Sequence, residues 1–413
     1  AVELALEIEE RWGGAPELSE FEYDVSVSQL QAWLEGSGKN AQTANVPHPT
    51  AFDGMHRSTI PVNSAFDETR LRRLRSYTAS WRGEWASPRH LLFGVHLDGS
   101  LPPLAWCFQG RHEFETLARW LGPDQPLIGM RSGHYVIDYA DRDAVDALAA
   151  IYLDELADWP GAFPRGFGGN CQGSVVALAM ARRIIADGGA VDGLFLLENI
   201  TARADPRPVP VPVAMLFGEH SREFNPYLLF ADPEPGWRKL YPAGWSVDII
   251  GADHGGYFRA PEVEELTRAL VPRLADPPAG AGMPPPGRPL ADEEARANIA
   301  LKVSLPERVA QGATLEVTLA VTNAGMQAWT PEDGIALANH WLTANLGVFR
   351  WLDGTRMLDI TLAPGAICEA VLEIRAPEAA GEYMVEFDLA EQGVAWFGER
   401  GGTVLQVGLQ VEQ

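Results

Sequence analysis

The stretch Gly166-Phe-Gly-Gly-Asn170-Cys171-Gln172-Gly173-Ser-Val-Val-Ala-Leu-Ala-Met180-Ala-Arg-Arg-Ile-Ile-Ala186 decides how this chain is read. A short glycine-rich run enters it and an apolar, helix-forming run leaves it. This predicts a strand leading in over Gly166–Gly169, a tight turn, and a helix over Ser174–Ala186. Gly169 and Gly173 bracket Cys171 in the form G-x-nucleophile-x-G. Glycine on both sides lets the turn pass close to neighbouring elements. Such a turn aims the central side chain past the strand end and sets the backbone N–H of Gln172 to serve one half of an oxyanion hole. The following helix N-terminus favours a thiolate at Cys171. Alone the pattern is weak, because a buried cysteine is usually inert.

Working outward, an acid should follow the next strand and a histidine the last one. Leu194–Leu197 is that next strand and Glu198 stands at its C-terminal end. Val247–Ile250 is the last strand, and Gly251-Ala-Asp-His254-Gly-Gly supplies a histidine suited to be the general base. Glu219, after the strand Val213–Phe217, is an alternative position for the acid. Cys107 and Cys368 lie in apolar runs and read as core residues. The three cysteines show no CxxC or metal-ligand spacing, so neither a disulfide framework nor a metal site is expected. His112 reads equally as a substrate contact or as a surface residue near a helix start.

The flanking pattern alternates strands and helices. Strands are expected at Leu91–Val95, Leu104–Phe108 and Leu127–Met130, and helices at His112–Trp120, Ala144–Leu156 and Val263–Leu274. That alternation implies an α/β fold with a mostly parallel sheet covered on both faces. Residues 276–297 are a Pro/Gly linker. Beyond it, period-two runs at Ala300–Pro306, Thr314–Asn323, Leu358–Leu362, Ala370–Arg375, Tyr383–Leu389 and Val404–Val411 imply an antiparallel, immunoglobulin-like β-sandwich over 298–413 of about seven strands. It shows no triad, metal cluster or phosphate loop and reads as an accessory domain. Its aromatics around Asn339-His340-Trp341 and Trp396-Phe397 suit a core, or else a ligand face.

PPLAWCFQG, FETLARWLGPDQPLIGMRSG, GGNCQGSVVALAMARRI, LFLLEN and GADHGGYF together resemble the thioesterase domains that end polyketide and nonribosomal-peptide assembly lines. The resemblance covers about residues 89–275. It implies an α/β-hydrolase fold, an acid at Glu198, and a second oxyanion donor from the loop after Leu104–Phe108, which carries over to Gln109 or Gly110. The family usually has serine and aspartate where this chain has Cys171 and Glu198. The opening AVELALEIEERWG and FEYDVSVSQLQAWLEG resemble the second half of a carrier-protein domain. Residues 1–36 would then be a carrier-like helical fragment, or else a helical hairpin packed on the next domain, followed by a linker over 37–88. The resemblance further implies a phosphopantetheine-linked acyl thioester as substrate, no bound cofactor, and an acyl- or peptidyl-carrier domain as partner.

A cysteine nucleophile changes the chemistry. Transfer between thioesters is close to isoenergetic, so acyl-Cys171 stays activated and an amine, thiol or internal hydroxyl of an acceptor molecule competes with water. Hydrolysis, cyclisation and transfer all remain open. A small-molecule hydrolase of the dienelactone type, which also uses Cys in GxCxG, and a non-catalytic binding module are the alternatives. Only Asn199–Pro212 separates Glu198 from the next strand, too little for a helical lid. The longer insertion Glu219–Gly244 carries Phe224, Tyr227 and Trp237, which are expected to shape the acyl pocket. A net charge of -24 argues against nucleic acid and anionic membrane surfaces. No apolar run approaches the roughly 20 residues of a membrane span. Without a basic, apolar leader pattern, the cytoplasm is the expected compartment.

Overall fold

The computed structural model describes residues 67–139, 141–199, 206–222, 224–278 and 287–413. The carrier-like fragment 1–36 and the residues expected as linker up to 66 lie outside them. The chain begins with α1 (Glu68–Ser76), β1 (Trp85–Ala86), β2 (Leu92–Val95), β3 (Leu104–Phe108), α2 (Arg111–Leu121), β4 (Leu127–Arg131) and α3 (Arg142–Leu156). It continues with β5 (Gly166–Asn170), α4 (Gln172–Ala186), β6 (Gly193–Leu197), β7 (Val213–Gly218), α5 (Pro226–Leu229), α6 (Glu234–Leu240), β8 (Trp245–Ile250) and α7 (Glu262–Ala275). The strand order is β1-β2-β4-β3-β5-β6-β7-β8. β3 pairs in parallel with β4 and β5, and β5 with β6, while β1–β2 and β2–β4 are antiparallel. In strand order and in its strand–turn–helix at Cys171, this mixed α/β fold resembles the α/β-hydrolases.

Two compact units share these elements. The first holds the described residues up to Asn199 together with 214–216 and 255–277. Every residue of β3, β4 and β6 is buried, which is why those strands read as continuous apolar runs and not as alternating ones. The unit starts earlier than the expected boundary at 89. Leu74, Tyr77 and Trp81 are buried, and Trp81 stacks on Phe114 of α2 with ring centroids 5.2 Å apart. The end of the expected 37–88 linker is therefore core, because its spaced apolar side chains cover the sheet's aromatics.

The second unit holds the described residues among 206–213, 217–254 and 278–413. Its C-terminal strands are β9 (Ala297–Leu301), β10 (Arg308–Ala310), β11 (Thr314–Asn323), β12 (Ile335–Thr343), β13 (Val348–Arg350), β14 (Thr355–Met357), β15 (Ile367–Arg375), β16 (Gly381–Glu391), β17 (Ala395–Trp396) and β18 (Leu405–Glu412). One sheet runs β10-β18-β16-β12-β13, with β14 on β12 and β17 on β16; the other runs β15-β11-β9. All these pairs are antiparallel except β10–β18, which is parallel. β11 alternates as a half-buried strand should, burying Val317, Leu319 and Val321 against Leu337, Leu372 and Phe387. Leu358–Leu362, expected as a strand, forms none of these strands; Leu362 bridges to Trp329, and the Leu358 N–H donates to Ile335 O at 2.9 Å. Trp341, Trp396 and Phe397 are buried, the core outcome of the two considered. Leu290 and Ala295 join the same core, so the expected 276–297 linker gives way to folded chain before β9.

Candidate active site

In the first unit, Cys171 is the residue between β5 and α4 and has φ 50° and ψ -122°. A non-glycine residue in that region carries backbone strain that the surroundings must hold. Those surroundings are visible. The Cys171 N–H donates to Leu197 O at 2.9 Å, and Ser174 donates from both N–H (3.0 Å) and Oγ (2.6 Å) to Cys171 O. The bracketing glycines explain themselves by close approach. A Cβ on Gly173 would lie 2.2 Å from Cys107 O, and one on Gly169 would lie 2.4 Å from Gly173 O. Cys107 is thus the wall of the turn, and burial pushes its thiol pKa up, as suits a core residue. The Cys171 thiol is not in a disulfide.

Glu198 stands one residue past β6 and also has positive φ, 52°. Two neighbouring strands are therefore each followed by a non-glycine residue with positive φ. Glu198 is buried; its N–H donates to Leu216 O at 2.8 Å, and its Oε1 accepts a short hydrogen bond from the buried Tyr257 hydroxyl. Tyr257 went unread in the sequence, although it stands just after His254 in GADHGGYF.

Gln172 opens α4, so its N–H is one of the amides an α-helix leaves without an internal partner. The loop after β3 is different. The Gln109 N–H donates to Glu113 Oε2 at 2.7 Å, and the Gly110 amide also bonds the Glu113 carboxylate. Both amides expected as oxyanion donors are thus engaged by a side chain. Glu113 sits at the third position of α2 and reaches back, as a capping glutamate does. Its carboxyl is turned inward, where desolvation raises its pKa to about 7 against the opposing pull of these hydrogen bonds. The same Oε2 accepts from Asn170 Nδ2 at 3.1 Å.

Asn170, the residue before Cys171, is held on further sides by Trp106 Nε1 on its Oδ1 (3.2 Å) and Gln109 Nε2 on its carbonyl (2.8 Å). Gln109 Oε1 in turn accepts from Ser132 Oγ (3.0 Å), which lies 2.9 Å from His134 Nδ1. Burial, reinforced by the Arg131 charge, lowers the His134 pKa to about 3, so its ring stays neutral. The backbone just before Cys171 is locked by polar contacts that the motif does not announce. A glycine followed at the third helical position by glutamate was the one available signal for Glu113.

In the second unit, His254 lies on an exposed loop just before Gly255 (φ 78°). Phe224 stacks on it, with ring centroids 4.4 Å apart and planes 21° apart. Trp237 is buried edge-on against Trp245 (5.1 Å) and Tyr227 (5.7 Å), while Tyr227 is 46% exposed. The insertion's aromatics thus serve separate tasks: one meets the histidine, and the others build the insertion. Glu219 is exposed, unlike Glu198, and its N–H extends the β8 ladder to Ile250 O at 2.7 Å. His112 is an exposed residue of α2. Among the described residues, no group of three His, Cys, Asp or Glu side chains is placed to hold a metal ion, and no helix is long and apolar enough to cross a membrane.

No family model and no curated protein matches this chain. Solved structures that resemble it include the NocB thioesterase domain in covalent complex with a fluorophosphonate nocardicin G analog, 16% identical with a TM-score of 0.37 over 45% of this chain and 99% of that one. YbtT, the type II thioesterase of the yersiniabactin pathway, is 15% identical with a TM-score of 0.33, covering 45% of this chain and 99% of its own. A CIB-like hydrolase from Thermoplasma acidophilum is 15% identical with a TM-score of 0.34, over 44% and 91% of the two chains. Likenesses this distant decide nothing about chemistry.

Proposed function

We propose that this protein is a thioesterase or acyltransferase that takes an acyl or peptidyl chain from a phosphopantetheine carrier thioester onto Cys171 and passes it to water or another nucleophile. In this reading His254 is the general base, Glu198 orients it, and the oxyanion is received by the amide of Gln172 and, once the Glu113 carboxyl releases it, by that of Gln109 or Gly110. The observation that carries it is the pair of strained residues, Cys171 and Glu198, at the ends of adjacent strands with φ near 50°. Strain of this kind is kept where function needs it, and it coincides with the two residues that motif order selects.

Attack of the Cys171 thiolate on the carrier thioester forms the acyl-Cys171 thioester and expels the pantetheine thiolate, which takes a proton from the imidazolium. Attack by the acceptor on acyl-Cys171, with its proton taken by the now neutral His254, forms the product and regenerates the thiolate and the imidazolium. The partner in this reading is an acyl- or peptidyl-carrier domain, the compartment is the cytoplasm, and the C-terminal sheets are an immunoglobulin-like accessory domain. Loading the purified protein with a panel of acyl-pantetheine thioesters and following free thiol release tests the reading. Steady release that depends on both Cys171 and His254 is expected. Release unaffected by their replacement contradicts it.

A further inference from the structure

The aromatics of the insertion between β7 and β8 are expected to shape an acyl pocket; the middle of the insertion is clamped to the C-terminal sheets. Lys239 of α6 is buried, with its Nζ 3.0 Å from Glu391 Oε1 and 2.9 Å from Asp333 O. Glu391 is buried too, meets Arg400 Nη1 at 3.3 Å, and accepts from the Leu290 N–H at 3.1 Å. A buried cation and anion hold each other because either one alone would be strongly disfavoured there. Around this pair the two segments touch backbone to backbone. A Cβ on Gly236 would lie 2.2 Å from Gln392 O, and one on Gly393 would lie 1.9 Å from Pro233 O. Phe230 stacks on Trp396 (5.9 Å between centroids, 14° between planes), and the Asp232 N–H donates to Gln392 Oε1 at 3.1 Å.

The start of the same insertion carries Phe224. Its turn is fixed by Asn225, whose N–H donates to Ser221 O (2.8 Å) and whose Nδ2 donates to Gly218 O (3.0 Å). Alongside, the His220 N–H donates to Ala252 O at 3.3 Å, in the loop that leads to His254. The Phe224 ring lies nearly parallel to the imidazole. A flat aromatic partner against one face narrows the orientations an imidazole can take. A base acts only from within hydrogen-bonding reach of its proton, so that narrowing is of catalytic consequence.

We propose that Phe224 is a positioning residue for His254, and that the C-terminal sheets serve catalysis by clamping, through Lys239–Glu391 and Phe230–Trp396, the insertion that carries it. The inference rests on the reading of His254 as the base, and it gives the C-terminal sheets a task within the reaction.

The test uses the full chain and an acyl-pantetheine thioester, with Phe224→Ala, Phe224→Tyr, Phe230→Ala and His254→Ala as variants. Phe224→Ala is expected to lower the acylation rate constant about 10- to 100-fold with little change in KM. Phe224→Tyr keeps the flat ring and should restore most of it. Phe230→Ala loosens the clamp without leaving a buried charge unpaired. It should lower the same rate constant and speed modification of His254 by diethyl pyrocarbonate, read by peptide mass spectrometry. A folded Phe224→Ala protein with wild-type acylation overturns the proposal while a dead His254→Ala leaves the base assignment standing. Wild-type acylation by His254→Ala overturns both.

Discussion

The Cys171 turn and the His254 loop are held in opposite ways. Cys171 is fixed by backbone: a strained φ, an N–H on Leu197, a carbonyl taken twice by Ser174, and two glycines that admit the neighbouring chain. His254 sits on an exposed loop against a side chain, Phe224, delivered by an insertion anchored to the C-terminal sheets. Locally encoded constraints of the first kind leave a motif in the sequence. Constraints built from distant segments do not.

The largest effect should come from removing the locally fixed element. Cys171→Ala is expected to reduce thioester turnover by about 10⁴-fold or more without loss of fold, since alanine fits the turn. Steady-state thiol release and a melting curve check both halves of that statement. Gly173→Ala should be nearly as damaging for a different reason. Its Cβ would meet Cys107 O at 2.2 Å, so the strand–helix junction must shift, at a cost of about 3 kcal/mol seen as a lowered denaturation midpoint.

The acid sharpens the comparison next. Glu198 is buried under the Tyr257 hydroxyl while Glu219 is exposed. Glu198→Gln should slow acylation by up to about 10⁴-fold, and Glu219→Gln should leave it near wild type. The opposite ranking, measured on the two variants side by side, would move the acid to the end of β7.

The smallest effect concerns the loop after β3. The Glu113 carboxyl holds its proton up to about pH 7 in the folded chain, against an ordinary value of 4.5. Between those values the folded state binds a proton that the unfolded state has released, so stability falls as pH rises through this window. Glu113→Gln has no such proton. Its melting temperature should fall less than that of the wild type on going from about pH 5 to about pH 8. Identical pH dependence in the two proteins would show that the carboxyl titrates normally.

The same contrast explains what the sequence disclosed. β3 and β11 fall at the predicted bounds, Leu104–Phe108 and Thr314–Asn323, because one is a short unbroken apolar run and the other alternates cleanly. β12 escaped notice although it is central to its sheet. Asn339 and His340 interrupt its apolar pattern, and both are buried with partners beyond the next turn, Gly354 and Trp351, which a period-two reading does not supply. The insertion's aromatics were legible as aromatics, but a ring's partner is set by folding. Phe224 met a histidine, Phe230 a tryptophan of β17, and Trp237 its own segment. Glu113 left only a glycine-to-glutamate spacing, which does not tell a helix cap from a residue that occupies two amides of the loop after β3.

The central claim is that the acyl chain passes through Cys171. Brief incubation of the protein with an excess of an acyl-pantetheine thioester, followed by acid quench and peptide mass spectrometry, tests it most directly. The account predicts one acyl adduct, on the peptide bearing Cys171, absent in Cys171→Ala and slow to form in His254→Ala. An adduct on another side chain, or full turnover by Cys171→Ala, would contradict it.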